Sequence, residues 1–300
     1  MSSFHVYAGH TEAAAAPVVR KIGFADVTDA LRLGFDDFKA MPSHLVFLGF
    51  LYPFCGLVLA SVSSYRGALQ FLFPLASGFA LVGPFAAIGL YELSRRREQG
   101  QPTDLADALN VVRSPSIPSI AALGVGLMLF FLLWLTVAHE LYAVLFGDEV
   151  PASLGGFFQE ILTTSRGWTL IIAGCLIGFA FSVVAICVTV VSFPLLLDRD
   201  AGLAMAVATS TRVVRENPLP IAFWGLIVAG ALVLGSLPLF VGLAVVVPVL
   251  GHATWRLYRK LVARDPSQEH PVDEIAVDWT KATQARVKPH SFLFPETPEE

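Results

Sequence analysis

Five stretches of this 300-residue chain contain no Asp, Glu, Lys or Arg: Leu45–Tyr65, Gly67–Tyr91, Ser114–His139, Gly167–Leu197 and Asn217–Trp255. A helix needs roughly 20 apolar residues to cross a bilayer core of about 30 Å, and buried helices of soluble proteins seldom stay uncharged for so long. The last stretch covers 39 residues. It is too long for one helix and suits two, with Gly235-Ser236-Leu237-Pro238 as the turn between them. Six spans are therefore predicted, near 45–64, 68–91, 119–139, 168–194, 219–236 and 238–259. Composition agrees: 55% of residues are hydrophobic and 15% charged, against roughly 45–50% and about 25% in a soluble chain. That much apolar surface excludes a soluble enzyme. The net charge of −4 gives no reason to expect a nucleic-acid partner.

Lys and Arg retained beside the spans set orientation. The N-terminal segment, the second and fourth loops and the C-terminal segment together hold 18 of them, whereas the first and third loops hold only Arg66 and Arg166. Both termini are expected in the cytoplasm. Met1–Val18 has no basic n-region and no long apolar h-region, so the first span itself is expected to start insertion. Cys55 falls in span one, and Cys175 and Cys187 in span four. The latter pair lie about 18 Å apart along a helix, beyond the reach of a disulfide. With no paired-cysteine or Cys/His spacing, no metal site is expected.

Internal repetition orders the spans. Val27, Leu31, Phe35 and Phe38 recur at helical steps before span one; Leu105, Leu109 and Val112 do so before span three, behind Thr103 as an N-cap; Leu203, Val207 and Val214 do so before span five. Each run then meets proline. Val111-Val112-Arg113 with Pro118 repeats as Val213-Val214-Arg215 with Pro220 at an offset of 102. Gly78, Pro84, Tyr91-Glu92-Leu93 and Arg95-Arg96 repeat as Gly242, Pro248, Trp255-Arg256-Leu257 and Arg259-Lys260 at an offset of 164. The expected fold is an all-α integral membrane protein of six transmembrane helices, built as three repeats of a cytoplasmic amphipathic helix (26–39, 103–113, 201–215) plus a transmembrane hairpin. The amphipathic helices are expected in the cytoplasmic interface, or as a cap on the bundle. Residues 1–20 are expected to form a disordered N-terminal tail and 21–264 the membrane domain. The acidic, Pro-rich residues 265–300 form a cytoplasmic tail expected to be disordered or partner-binding, with Ser291-Phe292-Leu293-Phe294-Pro295 as an apolar island.

Ionisable groups inside a membrane are functional candidates by default, and here none lies at the centre of a span. Those at the edges read as structural. Glu92 precedes Arg95, Arg96 and Arg97, and Asp198-Arg199-Asp200 closes span four. These seven form a candidate ion-pair cluster in which the second group locks against the first. His139-Glu140 is expected to end span three at the outer interface. His44 and His252 sit at comparable depths and form the only pair suited to haem, though no flanking motif supports it. Gly174-x-x-x-Gly178 permits close helix approach. No phosphate loop, nucleophile elbow or metalloprotease motif occurs.

The strings Ile22-Gly23-Phe24-Ala25-Asp26, Gly89-Leu90-Tyr91-Glu92-Leu93-Ser94-Arg95-Arg96, Arg113-Ser114-Pro115-Ser116-Ile117 and Ser192-Phe193-Pro194-Leu195-Leu196-Leu197-Asp198-Arg199-Asp200 carry a resemblance. Over about residues 20–262 the chain resembles an uncharacterised family of bacterial inner-membrane proteins, a domain of unknown function. Some members carry the label of a cytochrome c oxidase subunit. A haem–copper subunit has twelve helices and six metal-binding histidines, which this sequence lacks. The resemblance implies at most an accessory or assembly role near the respiratory chain.

The expectation is a non-enzymatic accessory, assembly or scaffold subunit of a larger inner-membrane complex, without catalytic residues, cofactor or metal. Membrane lipid and a membrane-protein partner or second copy are its expected contacts. A channel or transporter of three quasi-equivalent hairpins is the alternative, discriminated by a polar-lined interior, and a membrane haem protein ranks lower. Reporter fusions at Asp148 and after Glu300 are expected to report the periplasm and the cytoplasm respectively. A periplasmic C-terminus would require an odd number of spans.

Overall fold

A computed structural model of the chain describes residues 16–41, 74–75, 87–147, 153–238 and 241–270. Its described regular elements are helical. In chain order they are α1 (Phe24–Ala40), α2 (Ile88–Glu98), a 3-10 helix (Leu105–Arg113), α3 (Ile117–Phe146), α4 (Leu154–Thr163), α5 (Ser165–Thr189), α6 (Ser192–Asp198), α7 (Gly202–Glu216), α8 (Pro218–Ser236) and α9 (Leu243–Leu261). Three segments are long and apolar enough to cross a membrane: Ile117–Phe146, Ser165–Asp198 and Pro218–Ser236. They correspond to the third, fourth and fifth expected spans. The first, 45–64, lies outside the described residues, as does most of the second. The sixth falls on α9, which is not among these three segments, because its apolar run gives way to Arg256, Arg259 and Lys260 in its last turns.

Local chemistry sets the helix ends. The Asp26 carboxylate accepts from the Gly23 N–H at 2.9 Å and starts α1. Ser153 and Thr164 cap α4 and α5 by accepting from Gly156 and Gly167 at 3.1 and 3.0 Å. Pro118 and Pro218 occupy first turns, where a missing N–H costs nothing. Pro194 falls in the first turn of α6, after the break at Val190–Val191, and Pro248 lies inside α9. Pro84 is outside the described residues.

Three boundaries differ from expectation. α3 runs through His139 and Glu140 to Phe146 and closes with Gly147 at φ 63°, beyond the expected limit of 139. Thr103 is no N-cap; its hydroxyl donates to the Gln101 carbonyl at 3.2 Å, and Asp107 accepts from the Asp104 N–H instead. The element that follows is a 3-10 helix rather than an α-helix.

α3 packs on α5, α7 on α5 and α6, and α9 on α1, α2 and α8. Gly178 lies against Trp134: a Cβ there would meet the indole at 3.3 Å. Gly178 thus accommodates a large ring from α3, with Phe130 and Phe181 completing the aromatic contact, while Gly174 faces only a Leu141 methyl. A close approach joins α1 to α9. A Cβ on Gly34 would stand 2.4 Å from the Ala253 nitrogen. This crossing buries Val27, Ala30, Gly34 and Asp37, a face turned from the expected Val27–Leu31–Phe35–Phe38 stripe. In α7 the expected stripe does pack inward, with Leu203, Val207 and Val214 against the core. Residues 18–20 and 261–263 pair as a short antiparallel bridge, Val19 opposite Val262. The two segments leading away from α1 and α9 therefore share one end of the bundle, the same end that holds α6, α7 and the 3-10 helix.

Gly34→Val is expected to separate α1 from α9, because the clash is with backbone and no rotamer relieves it. Overpacking typically costs about 1–3 kcal/mol and more against fixed main chain. Thermal unfolding in detergent should show the loss, with Gly174→Ala, whose added carbon meets only a Leu141 methyl at 3.8 Å, as the tolerated control.

Candidate functional site

The last turns of α1, α2, α6 and α9 bring a set of charges together that water does not reach. Asp37, Glu92, Arg95, Arg96, Asp198, Arg199 and His252 are all buried. An ion out of water survives only with close partners, and each acid here has them.

Glu92 is satisfied within its own helix. Arg95 donates to it at 2.8 and 3.2 Å and Arg96 at 3.0 Å, spacings of three and four residues that place both guanidiniums on one face. Arg96 also reaches Asp107 of the 3-10 helix at 3.1 Å.

Asp198 is satisfied across the fold. Tyr258 donates to Oδ2 at 2.6 Å, Arg259 Nη1 at 2.9 Å and Arg199 Nη2 at 3.4 Å. Arg259 Nη2 stands 2.8 Å from Oδ1 as an ion pair without hydrogen-bond alignment. Arg259 also spreads over Trp255 and meets Glu98 at 2.9 Å, and Glu98 accepts from the Trp255 indole at 3.0 Å.

Asp37 forms a third node. Arg256 grips it with Nε at 2.8 Å and Nη2 at 2.7 Å, while Arg97 donates at 2.7 Å. Ser94 donates its single hydroxyl proton to the same carboxylate at 2.9 Å. The Ser94 oxygen, 2.8 Å from His252 Nδ1, is left to accept there. The proton inventory places the hydrogen of that pair on Nδ1.

A strap formed by residues 262–270 crosses this end. Arg199 donates to the Ala263 carbonyl at 3.1 Å and Arg95 to the His270 carbonyl at 3.0 Å; the His270 N–H bonds the Asp198 carbonyl at 2.7 Å. Glu269 is held by Arg264 at 2.8 Å and Arg259 at 3.3 Å. Burial alone would raise the Glu269 carboxyl, but the Arg264 bond and the two nearby guanidiniums hold it below the usual glutamate range. Farther out, Lys260 keeps Asp29 low by hydrogen bonding.

The seven expected cluster residues thus divide. Glu92 gathers Arg95 and Arg96; Arg97 turns away to Asp37; Asp198 and Arg199 lock onto α9 instead of the Arg95–Arg97 group. Asp200 is half-buried beside them. The main chain of His270 joins the two groups, bonding Arg95 through its carbonyl and Asp198 through its N–H. Sequence reading missed Asp37, Ser94, Arg256, Tyr258 and Arg259, of which only Arg256 and Arg259 carried a signal, their register with Glu92 and Arg95. His252 is enclosed, and His44 lies outside the described residues. Among the described residues, no three His, Cys, Asp or Glu gather to hold a metal ion.

Residues 72–198 match the model of a family described as a predicted integral membrane protein (DUF2189). That is the uncharacterised membrane-protein family the sequence resembles, over a shorter stretch than the resemblance implied. The description assigns membrane residence and no oxidase role. The matched segment runs from before α2 to the end of α6, so it supplies Glu92, the three arginines and Asp198, whereas Asp37, Arg256 and Arg259 lie outside it. No curated protein and no solved structure matches the chain.

Asp198→Asn and Arg259→Met are each expected to cost about 3–5 kcal/mol, because either leaves a buried charge without its partner. The partly exposed Arg166–Glu160 pair at the other end should cost less than about 1 kcal/mol on Arg166→Ala. Unfolding in detergent measures all three. Because the Glu269 carboxyl is held low, its contribution is present above the usual glutamate range and lost as pH falls through the lowered value. Hydrogen exchange of residues 262–270 should therefore quicken under acid, and Glu269→Gln should bring that loosening to neutral pH.

Proposed function

We propose that this chain is a non-enzymatic protein of the bacterial inner membrane, both termini cytoplasmic, serving as an accessory or scaffold subunit in a larger membrane assembly. The carrying observation is that both carboxylate oxygens of Asp37 and of Glu92 accept hydrogen bonds from donors of the same chain, while Asp198 accepts at Oδ2 from Tyr258, Arg259 and Arg199 and has the Arg259 guanidinium against its Oδ1. A catalytic carboxylate must leave an oxygen for substrate or for a proton in transit. These instead tie α1, α2, α6, α9 and the strap into one block, as a docking platform requires. Six spans in three hairpins, each led by a helix at the cytoplasmic face, is the architecture that goes with this reading. The lopsided distribution of Lys and Arg supports its orientation.

Affinity purification in mild detergent from native membranes tests it. At least one other membrane subunit is expected at fixed stoichiometry through a second sizing step. Recovery of the 32.3 kDa chain carrying lipid alone would remove the accessory reading.

A further inference from the structure

The α1–α9 packing leaves the aromatic side of α1 only partly covered: Leu31 rests on the core while Phe24 and Phe35 stay exposed. At about 100° per residue, the packed residues Val27, Ala30, Gly34 and Asp37 cover one side of α1. Phe24, Leu31, Phe35 and Phe38 form a stripe centred about 90° away from it. Phe24 is 53% exposed and Phe35 45%. Phe38 stacks on Phe35 at 6.2 Å, and Leu31 is half-buried.

The charges around the helix are sorted relative to that stripe. Arg32 and Lys39 lie on its outer border, and the Lys39 ammonium sits 5.1 Å from the Phe35 ring centroid. Asp29 and Asp36 come next, farther from the stripe, each bonded to its basic neighbour at 2.8 Å. Asp26 and Asp29 face Lys260 of α9, and Asp37 is consumed by Arg97 and Arg256. The helix therefore shows an aromatic strip with a basic rim and keeps its acids elsewhere. Its start is also continuous with a membrane-facing element: Phe24 meets Phe223 of α8 edge-on at 5.3 Å, near the beginning of a helix apolar enough to span the bilayer.

We propose that the aromatic strip of α1 contacts the phospholipid of the leaflet at the charged end, with Phe24 and Phe35 toward the acyl chains and Arg32 and Lys39 against headgroup phosphates. Aromatic rings are favoured at that depth, and long basic side chains bend from it toward phosphate. A polar partner surface would meet rings where it offers donors. A bilayer meets both halves of the strip with matching chemistry. The 3-10 helix shows the same habit, with Leu109 and Val112 exposed ahead of Arg113. This surface stands apart from the accessory reading and holds whether or not a partner subunit is found.

Spin labels at Phe35→Cys and Asp36→Cys test it, in the full chain with Cys55, Cys175 and Cys187 changed to Ser and reconstituted in phosphatidylcholine vesicles. Position 35 is expected to be open to oxygen and shielded from a water-soluble nickel complex, and position 36 the reverse. Equal nickel access at both sites would place the strip in water and overturn the proposal. Shielding of position 35 from both probes would mean that protein covers it, either another segment or a second copy, and would overturn it equally. Should the cysteine-free chain fail to fold, Phe35→Trp in the unaltered chain gives the same reading through quenching by brominated lipid, taken against the parent protein. With phosphatidylglycerol added, that lipid should be enriched at α1. Arg32→Gln and Lys39→Gln should each lower the enrichment about fivefold; an unchanged enrichment would overturn the headgroup contact.

Discussion

Asp198 sits where water does not reach, and the end of the bundle is arranged around that fact. A lone carboxylate there would carry a desolvation penalty of several kcal/mol. Tyr258 and Arg259 of α9 and Arg199 at the end of α6 meet it instead. Arg259 in turn needs Glu98 and Glu269, which draws in α2 and the strap. Because an uncompensated charge costs more than most packing errors, the ion pairs dictate how α2, α6 and α9 meet. The surrounding aromatic and leucine side chains fill the space those pairs define.

The Asp37 node explains why α1 packs as it does. Ala30 and Gly34 are small enough for the α9 backbone to approach, and only that approach lets Arg256 grip Asp37 at 2.7–2.8 Å. Burying the aromatic stripe instead would turn Asp37 away from Arg97 and Arg256. The carboxylate wins because its partner set cannot be replaced by solvent, whereas aromatic rings have an alternative in lipid. Ser94 and His252 complete this node with a short polar chain whose proton order follows from Asp37 accepting only.

Much of the fold was legible in advance. The charge-free stretches placed the starts of α3 and α8 at the charged end within two residues, where prolines mark the first turns, whereas α5 breaks at Val190–Val191, short of its expected end at 194. At the opposite end α3 overran its expected limit, because His139 and Glu140 can sit in an exposed helical turn and polarity alone does not stop a helix. The candidate cluster was half legible. Glu92 with Arg95 and Arg96 is a local pattern, visible because helical neighbours three and four apart share a face. The partners of Asp198 and Asp37 were not, since Arg259 lies 61 residues from the first and Arg256 lies 219 from the second. No periodicity reports a contact at such separation.

The sequence by itself determined residence, helical content and the places where charge is tolerated, because these depend on local sums: apolar residues per span, donors per turn, basic residues per loop. It also determined that α1 would be amphipathic. Only the tertiary structure decided which face of α1 turns inward, which arginine serves which acid, and that a strap from the end of α9 returns to Asp198 and Arg95. Those outcomes follow from competition among distant groups for a few buried partners. Such a competition is settled only once the helices are side by side.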